Sequence, residues 1–169
     1  MTAHSPSHYQ LDQHASDLSA DLDLSLDLVL AAPRDKVWQA MTQPELIQQW
    51  FAPHPYTTPE CRVDLRCGGE FYTLMQAPDG EQFANSGCYL LVNAPENLYW
   101  TDALSPDFRP SEQGFMTVQV RLSTHGEVTG YHVRVLHSSR EDRERHESMD
   151  FVAGWTQCAK QLEAVAARL

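Results

Sequence analysis

The residues best suited to chemistry in this sequence lie far apart along the chain. His54 stands between two prolines and would present its imidazole as a general base or as a hydrogen-bonding group for a ligand. Catalysis in an apolar site would also need inward polar side chains with shifted pKa values, for which Tyr89 and Asp102 are the candidates. No GxSxG, HExxH, P-loop or dinucleotide motif is present. The sequence therefore predicts no catalytic residue, and a solvated loop histidine is the favoured interpretation of His54.

Three histidines near the start of the chain, His4, His8 and His14, are spaced so that a flexible segment could fold around a transition metal. No cysteine or carboxylate is fixed beside them, so adventitious binding is favoured, and neither a metal site nor a cofactor is predicted. Residues 1–20 also carry too little apolar surface to offset the entropy lost on ordering. We expect them to be a flexible polar tail, followed by a single domain over residues 21–169.

The balance of charge argues against several classes of partner. The chain has 23 acidic and 12 basic residues and a net charge of −11, which repels phosphate backbones and anionic lipid. No stretch approaches the roughly 20 apolar residues of a membrane-spanning helix, and the first residues do not resemble a secretion signal. The cysteines lack CxxC spacing and are typical of reduced core thiols; they are Cys61, Cys67, Cys88 and Cys158. We therefore expect a cytoplasmic protein with no nucleic-acid or membrane partner.

Hydrophobic alternation predicts the elements that would position these residues. Leucines at every second position from Leu22 to Leu30 predict a first strand. Two short apolar stripes at helical spacing, separated by Thr42-Gln43-Pro44, predict two small helices after it. Strands joined in hairpins follow, with turn signals at Gly68-Gly69 and Asp79-Gly80.

The chain ends in its longest helix. Ser138 with Glu141, or Ser139 with Asp142, predicts the capped start of this region. Its apolar stripe consists of Phe151, Trp155, Cys158, Leu162, Val165 and Leu169. Only this helix is long enough to cover the apolar face of the sheet. The sequence thus predicts an α+β fold in which a curved antiparallel sheet of about six to seven strands wraps around a long C-terminal helix.

The alternation also predicts which side chains point toward that helix. The inward set comprises Cys61, Val63, Leu65, Met116, Val118, Val120, Tyr131, Val133 and Val135. In the two middle strands either face could be the apolar one, and we expect Phe71, Thr73, Met75 and Tyr89 to point inward. Aromatic and methionine side chains give an adaptable wall for an apolar ligand. The predicted ligand-binding residues are Trp50, Phe51, Phe71, Met75, Tyr89, Trp100, Met116, Met149 and Trp155.

Four strings occur in the order and at the separations of a known superfamily. They are AAPRDKVWQAMTQPELIQQWF at Ala31–Phe51, VDLRCGGEF at Val63–Phe71, GCYLLVNAPENLYWT at Gly87–Thr101, and Gly154-Trp155 before LEAVAARL. Together they resemble the START-like superfamily, also called the polyketide cyclase/Bet v-like or SRPBCC group. Within it they are most similar to the AHSA-type branch, related to the activator of the ninety-kilodalton heat-shock chaperone ATPase. The resemblance implies a helix-grip fold with a cavity between the sheet and the long helix.

Members of that branch range from small-molecule binders to chaperone co-factors, so the fold leaves three functional hypotheses open. The favoured one is a protein that binds a hydrophobic or aromatic small molecule in the cavity, with a stress-related role and a chaperone as a further partner. The second is an enzyme that uses the same cavity for cyclase, hydrolase or dehydratase chemistry. The third is an interaction module that forms a homodimer through a sheet edge or an apolar patch.

Overall fold

The structure of the chain, a computed structural model, describes residues 19–169. The elements in chain order are β1 (Asp23–Leu30), α1 (Arg34–Thr42), α2 (Pro44–Ile47), β2 (Thr57–Val63), β3 (Glu70–Gln76), β4 (Gln82–Asn93), β5 (Asn97–Thr101), β6 (Leu104–Ser105), β7 (Arg109–Pro110), β8 (Thr117–His125), β9 (Val128–Leu136), α3 (Arg140–Ser148) and α4 (Phe151–Ala166). Apart from Ser19 and Ala20, the predicted tail lies outside the described residues, as do His4, His8 and His14.

Seven strands form one antiparallel sheet in the order β1-β9-β8-β5-β4-β3-β2, while β6 and β7 pair separately in the loop before β8. The buried side of α4 shares a hydrophobic core with the inward face of this sheet, where Leu162 joins Val118 and Val120. The structure confirms the α+β helix-grip fold and the two small helices after the first strand. Within residues 19–169, no helix combines the length and apolarity needed to cross a lipid bilayer.

The alternation of β1 places its leucines toward the core. Leu24 and Leu30 are buried, whereas Val29 on the other face is 68% exposed. The inward residues of β8 and β9 follow the predicted register, since Val120 and Val135 have no exposed surface. Burying an aliphatic side chain of this kind stabilises the fold by about 1.5–3 kcal/mol.

The other edge strand, β2, is irregular near its start. Its pairing with β3 shifts register between Thr57 and Glu60, which takes Thr58 and Pro59 out of the ladder. Proline has no backbone N–H to donate, so it is tolerated at such a position. The Gln48 side chain donates a hydrogen bond to the carbonyl of Pro59 at 2.8 Å and fixes the strand to the end of α2.

The predicted register of the middle strands agrees with the observed burial, because Phe71, Thr73 and Tyr89 are all buried. The prediction for Leu65 is wrong. Leu65 is 40% exposed because β2 ends at Val63 and the chain then turns. Cys67 is exposed in the same turn, so the expectation of core thiols fails for this cysteine, although all four are free.

The C-terminal helical region consists of two helices rather than one. Ser139 caps α3, since its Oγ accepts a hydrogen bond from the Asp142 N–H at 3.1 Å. The break falls at Asp150, whose φ of 61° lies in the left-handed region and cannot continue a helix. Met149 precedes this break and is 68% exposed. From Phe151 to Val165 the apolar stripe faces the core as expected, but its predicted last member, Leu169, lies beyond the end of α4 and is 42% exposed, and Met149 does not join the core.

Candidate functional site

Four aromatic side chains pack together between the sheet and α4, with Phe71 in contact with each of the other three. The Phe71 ring lies 5.5 Å from Phe51, 5.3 Å from Tyr89 and 5.4 Å from Trp100, measured between ring centroids. Two of these contacts are edge-to-face and the Tyr89 contact is stacked, geometries that aromatic pairs prefer. We call Phe51, Phe71, Tyr89 and Trp100 the aromatic cluster.

The backbone around Tyr89 is fixed by the turn between β2 and β3. Gly68 donates its N–H to the Tyr89 carbonyl at 2.7 Å, and Tyr89 donates its own N–H to the Gly69 carbonyl at 3.0 Å. Both glycines are required by geometry, because Gly68 has a φ of 80° and a Cβ on Gly69 would collide with the Asp64 carbonyl. The Gly-Gly turn that predicts a hairpin thus also positions Tyr89.

The Tyr89 hydroxyl is buried and has no hydrogen-bond partner. The residue is 0% exposed, so no water-sized space adjoins it and the interior around the ring is filled. Burial, with a smaller contribution from Cys61, raises the pKa of Tyr89, which keeps the phenol protonated as a donor. An unsatisfied buried hydroxyl destabilises a protein by about 1–3 kcal/mol. Such a group is uncommon in a folded interior.

Gln161 on α4 holds the segment 50–54 over the aromatic cluster. Its amide nitrogen donates to the carbonyls of Trp50 at 3.1 Å and Ala52 at 2.8 Å, and its Oε1 accepts from the His54 N–H at 3.0 Å. The Cys158 thiol adds a contact to the Phe51 carbonyl at 3.3 Å. Sequence reasoning missed Gln161, although a polar residue directly beside Leu162 on the apolar stripe is the signal that could have found it.

The structure brings most of the predicted ligand-binding residues into or against one core. Trp50 is buried with its indole N–H bonded to the Ala40 carbonyl at 2.8 Å, while Met116 and Trp155 are partly buried against the core. Met75 is partly buried on β3. Met75 and Met149 are not part of that core, and Met149 sits exposed at the end of α3.

Two further histidines, which sequence reasoning did not single out, form a buried pair. His137 bonds through Nδ1 to the Leu22 carbonyl at 2.9 Å and through Nε2 to His146 Nδ1 at 2.9 Å. A carbonyl only accepts, so His137 carries a proton on Nδ1. Burial, and secondarily the neighbouring His137, lower the pKa of His146 to about 4. His146 is therefore neutral near pH 7.

The polar residues considered for catalysis do not converge on Tyr89. Asp102 accepts the backbone N–H groups of Phe115 at 2.7 Å and Met116 at 2.9 Å, so its carboxylate fixes the loop before β8. His54 is exposed. No group of three or more histidine, cysteine or acidic residues in the described part of the chain could hold a metal ion.

Comparisons with known proteins agree with this architecture. Residues 31–167 match the model of the family described as Activator of Hsp90 ATPase homolog 1-like protein. A crystal structure of a Nitrosomonas europaea protein is 42% identical, with a TM-score of 0.87, covering 89% of this chain and 97% of that one. A Mycobacterium smegmatis protein is 24% identical with a TM-score of 0.72, covering 86% and 90% of the two chains.

An AHSA1-like protein from Aeromonas hydrophila is 22% identical, with a TM-score of 0.64 and coverage of 86% of this chain and 92% of that one. The comparison with curated proteins gives no match. The family model spans most of the chain, and the Nitrosomonas structure shares both its sequence and its fold. The chain therefore belongs to the Activator of Hsp90 ATPase homolog 1-like protein family.

Proposed function

We propose that this protein binds a small, largely apolar molecule between the sheet and α4, with the Tyr89 hydroxyl donating a hydrogen bond to an acceptor on the ligand. The unpartnered Tyr89 hydroxyl inside the aromatic cluster is the observation that carries the proposal. A binding pocket is characteristically an apolar wall with a few placed polar groups. The aromatic cluster has this composition. The family of this protein also belongs to a ligand-binding fold, which supports the proposal.

Entry of the ligand requires a side chain to move, because the space around Tyr89 is filled. Phe51 is the residue best placed to do so, since it is only partly buried and packs edge-to-face on Phe71. Its backbone is held by Gln161 and Cys158, so rotation of the ring alone would uncover Phe71, the ring that stacks on Tyr89. The proposed site is therefore closed without ligand and opens by rotation of the Phe51 side chain.

Two probes of similar shape test the polar anchor. Acetophenone carries a carbonyl acceptor, whereas ethylbenzene does not. We expect Tyr89→Phe to weaken acetophenone binding about tenfold, the value of one buried hydrogen bond, and to leave ethylbenzene binding unchanged. Binding is measured by NMR titration of the intact chain. Tyr99→Phe is the matched control. Tyr99 alternates with the buried Leu98 and Trp100, so this substitution removes a hydroxyl from the other face of β5.

Equal losses of binding for both probes, or an acetophenone affinity that Tyr89→Phe does not change, would contradict the role of Tyr89 as a polar anchor.

Native mass spectrometry of the protein purified from its own host then identifies the natural ligand. A retained small molecule that is present in the Tyr99→Phe variant and lost from Tyr89→Phe is the expected result. A spectrum without ligand in both variants and in the parent chain would count against the proposal.

Binding is favoured over catalysis in the same cavity because the polar groups that catalysis needs are engaged elsewhere. Asp102 is committed to two backbone N–H groups, and His54 is exposed outside the cluster. A cyclase, hydrolase or dehydratase would need at least one such group beside Tyr89. The protonated phenol is suited to hold a carbonyl rather than to remove a proton.

The family description also names activation of a chaperone ATPase, and a stress- or chaperone-related role is the finer expectation attached to it. Measuring Hsp90 ATPase turnover with and without the chain tests this role directly. A homodimer through a sheet edge is tested by the molar mass in solution. Each of these results is independent of the ligand experiment.

A further inference from the structure

A groove separate from the aromatic cluster is lined in part by residues of the segment 50–54. It has a volume of about 380 Å³ and lies where the end of α2, the start of β2 and the last turns of α4 meet. This volume is within the range of small-ligand sites. Ala52, Tyr56 and Val165 provide apolar surface in the groove, beside hydroxyl and amide side chains. The groove therefore has the mixed lining that an amphipathic molecule needs.

The charge of the groove is opposite to that of the protein. Arg168 lines it and no acidic residue does, although the chain carries 23 acidic residues and a net charge of −11. The Arg168 guanidinium donates to the Gln49 Oε1 at 3.1 Å, a neutral partner that positions the group without neutralising it. Other arginines of the described chain, such as Arg143, pair with carboxylates. The groove thus offers an oriented positive charge.

The wall of the groove also contains a buried hydroxyl without a partner. Thr58 is 4% exposed, and its Oγ1 makes no hydrogen bond. The register shift in β2 explains its position, because Thr58 lies outside the β2–β3 ladder. Buried hydroxyls are normally satisfied, and this unsatisfied one belongs to the same groove as Arg168.

We propose that this groove binds a small organic carboxylate. The Arg168 guanidinium pairs with the carboxylate, the Thr58 hydroxyl donates a hydrogen bond to the same group, and Tyr56 and Val165 cover the apolar part of the molecule. A single guanidinium fits one carboxylate, and charge-assisted bonds of this kind are among the stronger polar contacts. This site is separate from the aromatic cluster, and neither proposal depends on the other.

Benzoate, hexanoate, benzyl alcohol and inorganic phosphate serve as probes in NMR titrations of the full chain. We expect the two carboxylates to shift amide signals of residues 48–58 and 161–168, while neutral benzyl alcohol and phosphate bind at least about tenfold more weakly. Benzyl alcohol tests the charge, and phosphate tests whether any anion suffices.

Arg168→Gln is expected to weaken benzoate binding at least about tenfold. Thr58→Val is expected to weaken benzoate binding several-fold and to raise the melting temperature of the protein. Arg145→Gln, at an exposed position on α3, is the matched control and leaves benzoate binding unchanged. Carboxylate shifts that persist in Arg168→Gln, equal binding of phosphate, or no binding of either carboxylate at millimolar concentration would each overturn the proposal. Since Tyr89→Phe leaves the groove intact, it should not affect benzoate, whatever its effect on acetophenone.

Discussion

The two halves of the sheet differ in whether their buried polar groups have hydrogen-bond partners. In the half formed by β1, β8 and β9, Thr129 donates from its hydroxyl to the Ala32 carbonyl at 2.7 Å, and Asp23 accepts from Arg134 at 2.8 Å. In the half formed by β2, β3 and β4, the hydroxyls of Thr58 and Tyr89 have no partner. These buried polar groups of the first half are satisfied. The second half carries two unsatisfied donors, Tyr89 in the aromatic cluster and Thr58 in the groove, which are the two places where we propose that ligands bind.

The largest expected effect tests the packed core. Leu162 on α4 is fully buried, and Leu162→Ala would leave a cavity among side chains that have little freedom to collapse. We expect a loss of about 2–5 kcal/mol in the free energy of unfolding, measured by urea denaturation. Val152→Ala, at a position that is 60% exposed on the same helix, is the control and should change little.

The next effect concerns the hydrogen bonds by which Gln161 holds the segment 50–54 over the aromatic cluster. Gln161→Met keeps the side-chain length but leaves the carbonyls of Trp50 and Ala52 and the N–H of His54 without their partner. We expect a loss of about 2–3 kcal/mol and faster hydrogen exchange in residues 50–54. Gln157→Met, which removes only a contact to Gln161 itself, is the comparison. Unchanged exchange in that segment would show that Gln161 does not clamp it.

A third effect concerns the buried histidine pair, His137 and His146, near the end of β9. The pKa of His146 is lowered to about 4 from an unperturbed value of 6.5, so the unfolded chain binds a proton more readily in this interval. Stability should therefore be fully present above about pH 6.5 and decline as the pH falls toward 4, by at most about 1.4 kcal/mol per pH unit from this residue. His146→Gln should flatten that part of the profile. A slope equal to that of the parent chain would assign the dependence to other groups.

The smallest expected effect is the one that separates the two halves most clearly. Tyr89→Phe removes a buried hydroxyl that has no partner, so the free energy of unfolding should stay unchanged or rise by up to about 1 kcal/mol. Thr129→Val removes a satisfied hydroxyl and leaves the Ala32 carbonyl unpaired, so it should destabilise by about 1–3 kcal/mol. Thermal denaturation of both variants measures the difference. A destabilised Tyr89→Phe would mean that its hydroxyl has a partner in solution.

The elements were predictable because their signals are local. Period-two leucines predict β1, and the inward positions of β8 and β9 follow from the same rule. The predictions that failed lie where the chain leaves a regular element, among them Cys67 in the turn after β2. Leu65 follows the end of β2, and Met149 precedes the left-handed Asp150, a residue type that gives little warning of a helix break.

The site was less predictable because it depends on contacts between distant segments. The aromatic cluster follows from strand register, but an unsatisfied hydroxyl is a property of the packed interior and has no signal in sequence. The groove joins residues 48–58 with residues 161–168, which are about a hundred positions apart. His137 could have been found, since it continues the inward alternation of Val133 and Val135 beyond the end of β9.

The irregular start of β2 has a consequence for association as well as for the groove. Open sheet edges invite strands of other molecules, and this can lead to aggregation. Pro59 interrupts one edge because it cannot donate a hydrogen bond to an incoming strand. At the opposite edge, a second copy that paired antiparallel with β1 in the register centred on Ser25 would place Asp23 of each strand opposite Asp27 of the other. The same bulge that takes Thr58 out of the β2–β3 ladder thus helps keep neighbouring copies of the sheet from joining edge to edge.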